Sequence, residues 1–91
     1  MIQKVDGKVT VDGKALSDGD VALLKQMLRN DKPITAFDLM MKVGSTYTQY
    51  ISNRLRMMVK VYGIVTKGSK RGTYEIIPEF RDELKKALEE R

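Results

Sequence analysis

The sequence predicts one α+β domain: a three-helix core, a β-hairpin following it, an extra N-terminal β-hairpin and a closing C-terminal helix. Three observations lead there. Apolar residues recur at helical spacing in consecutive segments between residues 17 and 62. After Gly63 the pattern changes to short β-prone runs with glycines between them. And from Leu39 to Tyr74 no acidic residue occurs, while Lys42, Arg54, Arg56, Lys60, Lys67, Lys70 and Arg71 all do. The expected boundaries are 1–16 for the first hairpin, 17–62 for the three helices, 63–77 for the second hairpin and 78–91 for the last helix.

The charge is local. Residues 1–38 hold six Lys/Arg against six Asp/Glu, and residues 75–91 hold four against six, so the net charge of +5 originates in the acid-free window. A cationic field carried by folded structure suggests a polyanionic partner. At 91 residues and 42% hydrophobic content, one compact core is expected. With no Cys, no disulfide framework supports the fold. No apolar run reaches the roughly 18 residues of a membrane span. The first residues lack the apolar stretch of a secretory signal. A soluble, cytoplasmic protein is the expectation.

Ile2 to Val11 reads as two strands around Asp6-Gly7, a pair suited to tight hairpin turns. Val11-Asp12-Gly13-Lys14 repeats Val5-Asp6-Gly7-Lys8 and predicts a second turn at the domain edge, or a strand that joins the later hairpin or a second subunit. Ser17 with Asp20 forms a capping-box pattern for the first helix. Val21, Leu23, Leu24, Met27 and Leu28 supply its apolar stripe. Asp31-Lys32-Pro33 should stop it near Asn30. Thr35 with Asp38 repeats the cap signal for a short helix through Val43, ending at Gly44. Ile34, Leu39 and Val43 are its expected core contacts, with Phe37, Met40 and Met41 completing the packing.

A third helix is capped by Ser45 or Thr46. At 100° per residue, with Ile51 at zero, Leu55 falls at about 40°, Met58 at about 340° and Val59 at about 80°. Those four predict the buried face. Thr46, Gln49, Tyr50, Asn53, Arg56 and Lys60 gather on the opposite side. Gln and Asn pair bidentately with adenine and Arg with guanine, and the hydroxyls of Thr46 and Tyr50 suit phosphates or bases. A merely solvated face would normally alternate Glu with Lys; this one has no acid. Ile64–Lys67 and Thr73–Ile77 then read as strands joined by Gly68-Ser69-Lys70-Arg71-Gly72, a turn whose tip carries two cations.

Residues 34–77 resemble the winged helix-turn-helix core of the multiple-antibiotic-resistance and arsenic-repressor types of regulator. The resemblance rests on Ile34-Thr35, Leu39, the turn at Gly44, Ile51-Ser52-Asn53-Arg54-Leu55, and Gly63-Ile64-Val65 leading into the hairpin. It covers about half the chain. It implies a recognition helix carrying Thr46, Gln49, Tyr50, Asn53 and Arg56, and a wing contacting DNA through Lys67, Lys70 and Arg71. It also implies a setting in archaea, their viruses or other mobile elements. Arsenic-repressor-type metal sensors use Cys and His clusters; this chain has neither residue, so zinc and thiol sensing are not expected, and neither a metal nor a cofactor is.

Phe80, Leu84 and Leu88 recur every four residues in the last helix with Ala87 beside them, a stripe for its own domain or for a two-fold interface. Catalysis is not expected: without His or Cys the chain has no ordinary base near neutrality and no thiolate. Asp18 and Asp20 fit a helix start, where acids are favoured. The expected function is a double-stranded DNA binder, a transcriptional regulator acting as a homodimer. The alternatives are a protein-interaction adaptor whose basic face meets an acidic protein, and a non-specific architectural or RNA-binding protein.

Overall fold

A computed structural model describes residues 2–30, 32–44 and 48–89. Its elements are β1 (Ile2–Val5), β2 (Lys8–Val11), β3 (Lys14–Ala15), α1 (Asp18–Arg29), β4 (Ile34–Thr35), α2 (Ala36–Val43), α3 (Thr48–Met57), β5 (Val65–Lys67), β6 (Thr73–Ile76) and α4 (Pro78–Glu89). Four helices thus accompany two three-stranded antiparallel sheets, ordered β1-β2-β3 and β4-β6-β5. The proposed Ser45/Thr46 cap, Thr46 itself and the end of the C-terminal helix at Glu90 and Arg91 lie outside the described residues.

The repeated Asp-Gly pairs make the first sheet. Asp6 and Gly7 have φ of 51° and 81°, and Asp12 and Gly13 have 52° and 83°. Two consecutive positive φ values define the type I′ turn, whose twist matches that of the strands it joins. The second pair therefore adds a third strand, with Thr10 opposite Ala15 and Val11 opposite Lys14. This sheet is separate from the one formed by the second hairpin. Val9, Val11 and Leu16 carry it into the core.

Helix α1 opens with a complete capping box. Ser17 Oγ accepts from the Asp20 amide at 3.1 Å, and the Asp20 carboxylate accepts from the Ser17 amide at 3.2 Å. Leu23, Leu24 and Met27 are buried. Thr35 Oγ1 caps α2 through the Asp38 amide at 3.1 Å. Ile34 and Thr35 are also a short strand, which pairs with Tyr74 and Thr73. The entry to α2 is thereby tied to the second hairpin, a link that two residues could not announce by periodicity.

Helix α3 does not stop at Met57. It widens into a π-helical turn, Met58–Tyr62, that ends at Gly63. Ile51, Leu55 and Met58 are almost fully buried, Val59 is half-buried, and Ile64, Val65 and Ile76 from the second hairpin join the same core. Gly68 packs that hairpin against Pro33, just ahead of β4. A Cβ there would sit 2.5 Å from Pro33 Cβ and overlap Thr73 Oγ1, so only glycine fits without movement.

One expectation about packing needs adjustment, and one left open is narrowed. Phe37 and Met41 do not complete the core: they are 58% and 67% exposed, because α2 seats Leu39 inward and turns its opposite side outward. In α4, Leu84 and Leu88 are buried against the rest of this chain, so that stripe is used within the domain. Arg81 adds a polar tie, donating to Leu28 O at 2.9 Å near the end of α1.

Candidate nucleic-acid interface

Helix α3 presents three distinct surfaces. Its inner face is the apolar one just described. One flank is held by neighbouring elements. Arg54 donates through Nε to Asp20 Oδ1 at 2.7 Å and through Nη2 to Asp20 Oδ2, giving a two-pronged ion pair with a fully buried carboxylate. This guanidinium–carboxylate geometry fixes orientation as well as distance. The hydrogen bonds that Arg54 donates to Asp20 raise the pKa of the guanidinium, so its charge persists despite partial burial. Beside it, the Tyr50 hydroxyl lies over Gly19 in the first turn of α1, where an added Cβ would come within 2.7 Å of it.

The far end of α3 is fastened to the first sheet. Tyr62 Oη donates to Ala15 O at 3.0 Å, and Lys14 Nζ donates to Val61 O at 3.2 Å. These ties limit both rotation and sliding of the helix. No buried side-chain polar atom among the described residues lacks a partner.

The third surface is free. Gln49, Asn53, Arg56 and Lys60 are exposed along one ridge. Gln49 Nε2 donates to Asn53 Oδ1 at 3.2 Å, joining two amides one helical turn apart. At the far end of the ridge, Arg56 and Lys60 meet Lys67 of β5 around an open cleft of about 320 Å³ that Val59 also lines. Lys70 and Arg71 are exposed in the β5–β6 turn. The turn is internally braced: Thr73 Oγ1 donates to Lys70 O at 2.5 Å, and the Gly68 amide donates to Thr73 O at 2.9 Å.

The residues singled out from the sequence therefore fall into groups. Gln49 and Asn53 are in contact; Arg56, Lys60 and Lys67 share a cleft; Lys70 and Arg71 occupy the turn. Tyr50 is 49% exposed and stands on the flank, with its hydroxyl at α1. Thr46 is outside the described residues. One functional pairing escaped the sequence. Arg54 belongs to the acid-free window, yet its charge is met by Asp20, which lies 34 residues away. The signal for Asp20 was its helix-start position, which explained it fully as a cap and concealed its second role.

Compared with protein families, curated proteins and solved structures, the chain matched none. Among the described residues no helix is long and apolar enough to cross a membrane, and no cluster of acidic residues is arranged to hold a metal ion.

Proposed function

We propose that this chain is a double-stranded DNA-binding protein of the winged helix-turn-helix type, acting as a transcriptional regulator. In this reading α3 enters the major groove and the β5–β6 hairpin, the wing, lies along the backbone or the minor groove. The observation that carries it is the exposed, acid-free ridge of Gln49, Asn53, Arg56 and Lys60, running towards Lys67 of the hairpin. The Gln49–Asn53 pair offers amide donors and an acceptor for the edge of adenine. Lys70 and Arg71 supply sequence-independent attraction to phosphates.

The strand order β4-β6-β5, with helices α2 and α3 between β4 and β5, supports the assignment, because it suspends the hairpin beside the helix that follows the turn. Leu84 and Leu88 of the α4 stripe are already buried within the chain, so they are not free to join two copies on paired half-sites.

Fluorescence anisotropy with mixed-sequence duplex DNA, measured across a series of salt concentrations, tests the proposal. Binding at low salt should weaken as salt rises, and Lys70→Ala with Arg71→Ala should weaken all duplexes alike and flatten the slope. Absence of binding at low salt would instead favour an adaptor whose basic face meets an acidic protein.

A further inference from the structure

Arg56, Lys60 and Lys67 are three exposed cations around one cleft, and none has an ion-pair partner among the described residues. Arg56 and Lys60 stand four residues apart on a helix, where like charges repel. Lys67 approaches from β5. It follows Val65 by two residues, so both side chains lie on the core side of the sheet, towards α3. The nearest acid in the hairpin, Glu75, pairs with Thr66 and consequently points to the opposite face. No counter-charge reaches the cleft from the sheet. Val59 contributes an apolar wall, beside which charges interact more strongly than in open water.

Three mutually repelling cations around one open cleft describe a seat for an anion that the described residues do not supply. We infer that Arg56, Lys60 and Lys67 together hold one phosphodiester of duplex DNA, rather than reading a base and touching two further phosphates separately. This rests on the DNA-binding reading and deepens it. Arg56 passes from base recognition to helix placement, and sequence choice is left to Gln49 and Asn53. The seat fixes how far α3 advances along the groove, because one backbone group is gripped from the helix and from the hairpin at once.

The salt dependence of duplex binding separates one shared phosphate from three. Each phosphate neutralised contributes about 0.9 to the slope of log K against log salt. For a shared seat, Arg56→Gln, Lys60→Gln or Lys67→Gln alone should leave the slope nearly unchanged, since two cations still neutralise the same group. The triple variant should lower it by about 0.9. All three side chains are exposed, so the variants should fold, as thermal melting by circular dichroism will check. A fall of about 0.9 for each single variant and about 2.7 for the triple would overturn the shared seat. So would an unchanged slope in the triple variant, or altered base preference in Arg56→Gln. A second arm titrates the wild-type chain with inorganic phosphate at constant ionic strength: saturable millimolar displacement of the cleft amide signals by NMR would assign the seat to free phosphate instead. Failure of the wild-type chain to bind any duplex at low salt removes the DNA reading itself, an outcome distinct from a wrong slope.

Discussion

Replacing Arg54 by Met should destabilise the domain more than replacing Asp20 by Asn, although both changes break the same ion pair. The difference lies in what each leaves behind. The Asp20 side chain has no exposed surface, whereas that of Arg54 is 21% exposed. Arg54→Met therefore strands a carboxylate that water cannot reach, and removing one partner of a buried pair costs about 3–5 kcal/mol. Asp20→Asn keeps a carbonyl to accept from Ser17 or Arg54, and the guanidinium can turn towards solvent. The expected loss is about 1–3 kcal/mol. A domain of this length has about 5–10 kcal/mol in hand, so the first change threatens folding and the second does not. Urea unfolding followed by circular dichroism reads both values. The double variant should cost clearly less than the two single losses combined, because no unpaired charge remains. If Asp20→Asn proved the costlier change, or the losses simply added, the stranded-charge reasoning would be refuted.

Other expected outcomes follow from single positions. Gly68→Ala should destabilise by about 1–3 kcal/mol through overpacking against Pro33 and Thr73, seen as a lower thermal midpoint. Leu84→Ala should cost about 2–5 kcal/mol in denaturant unfolding without changing the sedimentation behaviour of the folded protein, since its contacts are within the chain. Phe37→Ser and Met41→Ser should each shift stability by no more than about 0.5 kcal/mol, as expected for exposed sites.

The sequence disclosed those elements whose signals are local. Ser17 and Asp20 announced the start of α1, Asp-Gly pairs announced turns, and Ile51, Leu55 and Met58 announced the inner face of α3. Its Gln49-to-Lys60 ridge followed from the same 100° step, because a packed helix leaves its other side outside. What escaped required distant partners. Ile34 and Thr35 are too few to show a strand period, and their pairing with Tyr74 and Thr73 depends on where the hairpin lands. Phe37 and Met41 have core-type side chains, but a helix of eight residues needs only a narrow contact, and Leu39 provides it. Arg54 counted as part of a cationic surface because nothing nearby in the chain opposes it; Asp20 reaches it only after α1 and α3 have packed.

That packing also bears on how the ridge is presented. Asp20–Arg54, Tyr50 over Gly19, and Tyr62 with Ala15 all fasten α3 on sides other than the one carrying Gln49 and Asn53. The amide pair is thus carried on a helix held in place by α1 and the first sheet, through contacts away from the Gln49–Asn53 ridge. A helix so restrained loses little freedom on binding, which favours selective recognition over loose electrostatic attachment.

Selection of bound sites from a pool of random duplex oligonucleotides, run in parallel with the wild-type chain and Asn53→Ala, tests the proposal most directly. The wild-type chain should enrich a defined motif that includes an adenine, and Asn53→Ala should lose preference at that position, by about 1–3 kcal/mol, while still binding duplex DNA. Recovery of unenriched sequence by both proteins, or an identical motif from each, would contradict a recognition role for α3.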